Sequence, residues 1–414
     1  MLKAISLFTG VGGLDFGFEA AGFDTAVASD LDRTACDTLA INRPWPVLCG
    51  PIDDFDSSTL LRTAQLSVGE ADVLIGGPPC QPFSKSSYWL TGDSKRLEDP
   101  RADTLASYLR VLGDTLPKAF LLENVAGLAF KGKDEGLQHL LDGIRLINKR
   151  RKVKYTVAIA KLNAADFGVP QRRERVFLIG HREGKTFNFP VPTHGEQAGD
   201  LFSQGDLHRY RTAWDALADL DLPSDTLVEE SLPMTGKWAD LLPSIPEGEN
   251  YLWHTPRGGG LPLFGWRTRY WSFLLKLAKN QPSWTIQAQP GSAIGPFHWS
   301  NRRLSTRELC RLQTFPDGLR FNCGRTDVQR LVGNAVPSLL AEVLAREIRA
   351  QLLDQPADGP LKLLPPDRGE PPPPAKVKSV PAKYHSLAGD HAPHPGTGLG
   401  ARARQLADAE LAAE

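Results

Sequence analysis

Short apolar runs separated by longer amphipathic stretches fill the first 180 residues, and this alternation restricts the fold more than any other feature. Ala4–Phe8, Ala26–Ser29, Val73–Gly77 and Ala119–Val125 have the length and content of buried strands. Leu14–Ala21 has helical spacing and stops at Gly22. Strands alternating with helices pair in parallel, and right-handed crossovers then cover both faces of the sheet. The expectation is a doubly wound, Rossmann-like α/β domain. Tyr155–Leu162 and Val176–Gly180 are late strands able to pair with each other.

The texture changes from about Thr186. Residues 186–300 are rich in proline, glycine and tryptophan, with weak periodicity, and read as a smaller irregular domain built on loops. Helical character returns over 301–352. There Ser305 and Glu308 have capping-box spacing, and Pro337–Gln351 suits a second helix. Residues 353–414 read as a Pro-rich, disordered or polyproline-like tail with Pro371–Pro374 and a single aromatic, Tyr384. Removing 360–414 is therefore expected to leave activity nearly unchanged. The domain reading is 1–185, 186–300, 301–352 and 353–414.

The 48 basic and 48 acidic residues of the 414 cancel, so binding a polyanion requires the basic groups to be gathered on one surface. Five cysteines without a C-x-x-C spacing exclude a disulfide scaffold and argue against a structural zinc site, so no metal is expected. A reducing cytosol suits them, and the cytoplasm is the expected compartment. No apolar run reaches the ~18 residues of a membrane span. The opening MLKAISLFTG reads as a strand rather than a signal peptide.

Six motifs carry candidate chemistry. Ser6–Asp15 takes a strand through Gly10, Gly12 and Gly13 into a helix, with no Walker lysine following. Asp30 closes the next strand, where a carboxylate can accept from ribose hydroxyls. The pair suits a nucleoside-containing cofactor, although a glycine turn can also simply pack a helix on a sheet. Asp72–Ser84 runs from a strand into Pro78-Pro79-Cys80, so two fixed φ angles hold a cysteine at a strand's carboxyl end. Glu123-Asn124-Val125 ends another strand, where the carboxylate is either a helix cap or an acid tuned by burial. Asn163–Arg175 combines a turn with Arg172, Arg173 and Arg175 around Glu174, which is either a solvated charge cluster or a set of forks for anionic oxygens. Arg302–Pro316 and Val332–Pro337 would each pass as helix boundaries.

The ordered set FTGVGG, GPPCQPFS, ENV, QRRERVFLIG, RRLSTRELCRLQTFP and VGNAVP resembles the DNA cytosine-5 methyltransferases, the bacterial modification enzymes that use S-adenosylmethionine. The resemblance spans residues 3–349. It implies an S-adenosylmethionine-dependent domain with a target-recognition domain inserted at 186–300, double-stranded DNA as partner, and a cognate restriction endonuclease as functional partner. The expected oligomeric state is a monomer. By resemblance, Cys80 is the nucleophile that adds to cytosine carbon 6. Glu123 stabilises the adduct at ring nitrogen 3, and Arg175, with Arg173 beside it, holds the carbonyl oxygen. The target base must leave the duplex stack. Residues 81–100 suit a loop closing over it. The basic stretches Arg145–Lys154, Arg172–Arg175, Arg267–Arg269 and Arg302–Arg311 suit phosphate contacts.

For the cofactor, the resemblance puts Phe8 against the adenine, Gly10–Gly13 and Asn334 near the methionine end, and Asp30 on the ribose. Ile52 packs on the adenine, and Pro78 and Leu105 wall the site. Two positions depart from the family pattern. Leu31 stands where an aromatic is usual, and Pro51 stands where an aspartate usually takes the adenine amino group, with Asp53 the nearest substitute. The competing readings are a catalytically silent DNA-binding relative and an RNA cytosine-5 methyltransferase.

Overall fold

A computed structural model of the chain describes residues 1–79, 103–125, 135–196, 207–220, 232–265 and 271–389. Seven strands form one sheet. They are β1 (Leu2–Leu7), β2 (Phe23–Asp30), β3 (Val47–Cys49), β4 (Val73–Gly76), β5 (Ala119–Val125), β6 (Ala158–Asn163) and β7 (Glu174–His181), in the order β3-β2-β1-β4-β5-β7-β6. Neighbours are parallel from β3 to β5, whereas β7 runs antiparallel to both β5 and β6. The doubly wound α/β expectation holds, and the two late strands do pair. The sequence reading did not isolate β3, which has three residues and follows Pro44 and Pro46, too short a run to show a period.

Alternation along the strands divides the core. Ile5, Leu74, Phe120, Leu122, Val176 and Leu178 face one side. There they meet α3 (Ser57–Ala64), α4 (Asp103–Thr115) and α5 (Glu135–Arg151). Ala4, Val73, Ile75, Leu121, Phe177 and Ile179 face the other. They meet α1 (Gly13–Ala20) and the last long helix, α9 (Ser338–Gln351). Each large aliphatic or aromatic side chain sequestered this way contributes about 1.5–3 kcal/mol. The α1–α9 contact depends on glycine. A Cβ on Gly17 would sit 2.3 Å from the Ser338 carbonyl oxygen, and one on Gly13 would sit 2.4 Å from that of Val336.

A third cluster packs Val11 and Phe16 of the amino-terminal segment with α2 (Arg33–Asn42), α6 (Ala213–Leu217), α7 (Thr306–Leu312) and α8 (Arg325–Asn334). Thus Ala213, Ala216, Leu217, Leu277, Ile286 and Trp299, expected within the inserted domain, are shared with the catalytic core. A fourth cluster, around Leu241, Leu242, Tyr251, Leu263, Leu274 and Phe297, forms a separate lobe. Its helical segments are short 3-10 turns such as Ala239–Ser244 and Tyr251–His254.

The tail departs from expectation over 355–389. Leu361, Leu363 and Leu364 pack on the second cluster, and Tyr384, 3% exposed, packs in the fourth. Proline-rich composition signals a chain that cannot build its own core. Here the segment instead uses apolar surfaces that other parts of the chain supply. Residues 390–414 lie outside the described residues. No helix among the described residues is long and apolar enough to cross a membrane.

Candidate active site

The strand order reverses between β1 and β4, and the crevice at such a reversal is where open α/β sheets bind ligands. The segment leaving β1 is bent to open this place. Phe8 adopts φ 53°, costly for a bulky residue, while Gly10 and Gly12 have φ 56° and 85°. Space around the Gly10 Cα is open, with no neighbouring atom within 4 Å of where a Cβ would stand. The Gly10 amide donates to Asp30 Oδ2 at 2.7 Å, and the Asp32 amide donates to Oδ1 at 2.8 Å. Burial pushes the Asp30 carboxyl up, against the pull of those two amides. A carboxylate so placed gains from a further hydroxyl donor, as a ribose would supply. No side chain caps α1 at Gly12, so its first amides are unclaimed by a cap. These features fit a nucleoside cofactor.

Beneath the turn lies a buried network absent from the sequence reading. Asp15, wholly buried in the first turn of α1, accepts from Ser6 Oγ and Thr25 Oγ1, each at 3.1 Å. Burial pushes its carboxyl up to about 7. Asp15 stands in the glycine motif, yet nothing local reveals that it points under the sheet towards Thr25.

The second group sits where β5 ends and β7 begins. Glu123 lies opposite Phe177 in the ladder and Val125 opposite Arg175, so Glu123 and Arg175 are diagonal neighbours on one face. Arg175 Nε meets Glu123 Oε1 at 2.8 Å, with the side chains only 16% and 11% exposed. Burial pushes the Glu123 carboxyl up, and Arg175, then Arg173, pull it back down. The segment leading to Cys80 passes directly alongside. A Cβ on Gly77 would sit 2.9 Å from Glu123 Oε2, and Asn124 Nδ2 donates to the Pro78 carbonyl oxygen at 3.2 Å. Cys80 itself, the loop residues 81–100 and Arg267–Arg269 lie outside the described residues.

Arg173 has a different place from Arg175. Fully buried, it donates to the carbonyl oxygens of Gly333 at 2.8 Å and Ile286 at 3.4 Å. Its guanidinium thus joins three distant parts of the chain. Gln171 and Gln313, unmarked by the sequence reading, do the same work. Gln171 Nε2 donates to Gln313 Oε1 at 2.9 Å, and Gln313 Nε2 donates to the Val332 carbonyl oxygen at 2.7 Å. The fourth, fifth and sixth motifs are therefore locked together by buried amides.

The other expectations divide. The Ser305–Glu308 capping box is present. Arg302 clamps Glu308 at 2.7 and 2.8 Å, and Arg311 pairs with Asp317 and Asp219, so these two cations of the expected phosphate surface are engaged internally. Ile52 and Leu105 are nearly sealed in the first cluster, which Phe8 also packs against. Pro78 is buried and Asn334 exposed. Leu31 is 69% exposed, and Asp53 accepts from Ser107 Oγ at 2.7 Å rather than standing free. No cluster of His, Cys, Asp or Glu among the described residues is arranged to hold a metal.

Residues 2–350 match the family model for C-5 cytosine-specific DNA methylases. The chain is 40% identical over 376 residues to the Type II methyltransferase M.SacI of Streptomyces achromogenes, covering 85% of this chain and 93% of that protein. It is 45% identical over 227 residues to M.AquIA, a Type II methyltransferase of Picosynechococcus, covering 53% of this chain and 88% of that protein. Its fold is like that of the methyltransferase EhMeth of Entamoeba histolytica, with a TM-score of 0.55 at 15% identity, over 85% of this chain and 99% of that one. With the crevice, the acid–arginine pair and the six motifs in order, the chain belongs to the C-5 cytosine-specific DNA methylase family and is a DNA cytosine-5 methyltransferase.

Proposed function

We propose that this enzyme methylates carbon 5 of a cytosine flipped out of a specific double-stranded DNA site, through a transient covalent bond to Cys80. The observation that carries the reading is the buried Glu123–Arg175 pair beside the backbone of Gly77 and Pro78. Cys80 follows that backbone by two residues. Its thiolate adds to carbon 6, which makes carbon 5 enamine-like. Glu123, its carboxyl raised by burial, holds or supplies a proton at ring nitrogen 3. Arg175 donates to the carbonyl oxygen as negative charge develops there. S-adenosylmethionine, when bound, supplies an electrophilic methyl group to carbon 5. Loss of the carbon-5 proton then pushes the electron pair back to expel the Cys80 thiolate. Asp30 would hold the ribose, the Phe8 ring would meet the adenine, and the backbone from Gly10 to Gly13 would lie near the methionine end. Asn334, Pro78, Ile52 and Leu105 shape the surroundings.

An ordinary thiol is only a few per cent ionised near neutrality, so burial of the base beside Cys80 must be coupled to its deprotonation. The physiological role that fits is protection of host DNA from a cognate restriction endonuclease, carried out by a cytoplasmic monomer. Tritiated-methyl transfer to unmethylated duplex DNA, followed by bisulfite sequencing, tests the reaction and identifies the target. Cys80→Ala should abolish transfer while DNA binding stays within about severalfold. DNA carrying 5-fluorocytosine should trap a covalent complex with the unaltered enzyme. Methylation by the alanine variant, or no trapped adduct, would overturn the covalent route.

A further inference from the structure

The methylase match ends at residue 350, yet the chain beyond it is joined to three parts of the molecule in succession. The first anchor is on α9. Glu342, completely buried, accepts from the amides of Lys362 at 2.8 Å and Leu363 at 2.9 Å, while Arg346 donates to the carbonyl oxygens of Gly359 and Pro360. Leu364 presses on the turn at Gly168, where a Cβ would sit 2.5 Å from Leu364 Cδ1. Gly168 belongs to the fourth motif.

The second anchor is on α6 and the residues flanking it. Asp367 pairs with Arg209 and, at 2.8 Å, with Arg211. The Arg368 amide donates to Asp215 Oδ1 at 2.8 Å, and its guanidinium meets Asp219 at 2.9 Å. Asp215 also takes a two-pronged bond from Arg209 at 2.9 and 3.0 Å, so the tail extends a charge network whose inner member, Asp215, is buried.

The third anchor lies in the separate lobe. The Tyr384 ring stacks on Trp238 at 5.7 Å and 17°, and its hydroxyl donates to the Lys237 carbonyl oxygen at 2.6 Å. Val380 and Leu387 pack into the same cluster, and the Lys378 amide donates to the Pro243 carbonyl oxygen at 3.0 Å. Between the second and third anchors run Pro371–Pro374. Consecutive prolines are stiff and extended at ~3.1 Å per residue, so they act as a spacer of set length and not as slack.

We propose that residues 359–389 are a strap that sets the position of the inserted lobe against the catalytic core, with Tyr384 and Asp367 as positioning residues for the DNA substrate. The proposal rests on the lobe being the DNA-recognising part. A displaced lobe loses contacts that hold DNA equally in the ground and transition states, which raises KM for DNA while kcat and the cofactor crevice are left alone.

The test uses the full chain, a pool of unmethylated duplex DNA and tritiated S-adenosylmethionine. Tyr384→Ala and Asp367→Ala should raise KM for DNA by about tenfold or more while kcat changes by less than about threefold. The dissociation constant for S-adenosylmethionine, read by calorimetry, should stay within about twofold. Tyr384→Phe keeps the stack on Trp238 and should recover most of the lost KM. If Tyr384→Ala does not fold, Asp367→Ala, more exposed and remote from the lobe core, decides alone. Unchanged KM in either folded variant, or parallel loss of kcat and cofactor binding, overturns the proposal. Failure of the unaltered enzyme to methylate any duplex is a separate outcome that refutes the functional reading instead.

Discussion

Glu123→Gln is the sharpest probe of the site, because it keeps the side chain's shape and removes its charge. At 2.8 Å, the attraction between Glu123 and Arg175 is about 6 kcal/mol for an effective dielectric of ~20. Most of that is cancelled by the cost of removing both ions from water. The substitution does not restore this cost. It leaves a mostly buried guanidinium without its counter-ion, a loss of about 3–5 kcal/mol in comparable buried pairs. A typical domain is stable by only 5–15 kcal/mol, roughly, so the variant should fold but unfold at distinctly lower urea. Methyl transfer should fall much further than folding does, by roughly 10²–10⁴-fold in single-turnover assays, as for loss of a positioned acid. Adding Arg175→Met removes the stranded charge and should return part of the stability but none of the activity. Tryptophan fluorescence in urea and tritiated-methyl transfer measure the two effects separately. If Glu123→Gln transfers methyl groups within about threefold of the unaltered enzyme, Glu123 is not the proton-handling group.

Three further substitutions test the crevice and the support beneath it. Asp15, with its carboxyl raised from 3.8 to about 7, binds a proton more tightly folded than unfolded. Stability must therefore fall as pH rises from about 4 to about 7, and the penalty is full above that range. Asp15→Asn should remove this slope and gain stability at pH ~8, by at most about 4 kcal/mol at 1.36 kcal/mol per pH unit. Parallel slopes for the two proteins in urea unfolding at several pH values would refute the assignment. Gly13→Ala should lose about 1–3 kcal/mol by forcing α1 off the Val336 carbonyl, whereas Gly10→Ala should spare folding more and weaken S-adenosylmethionine binding. Equal melting temperatures for Gly13→Ala and the unaltered enzyme would show that the 2.4 Å approach is relieved at no cost.

Local chemistry wrote the legible part of this molecule. Strand-length apolar runs, the glycine turn, Asp30 at a strand end and the diproline before Cys80 each carry their own short-range reason, so the α/β fold and the family could be read from residue order alone. Partners brought from far along the chain were decided only in the folded molecule. Gln171 and Gln313 are 142 residues apart, Arg173 and Gly333 160, and Lys237 and Tyr384 147. Two arginines two positions apart look equivalent in the sequence, yet Arg175 faces Glu123 and Arg173 is spent on backbone carbonyls. The Pro-rich tail shows the same limit. Composition measures whether a segment can bury its own apolar groups, and Leu361–Leu364 and Tyr384 use surfaces made by α9 and by the inserted lobe, which exist only after the chain has folded.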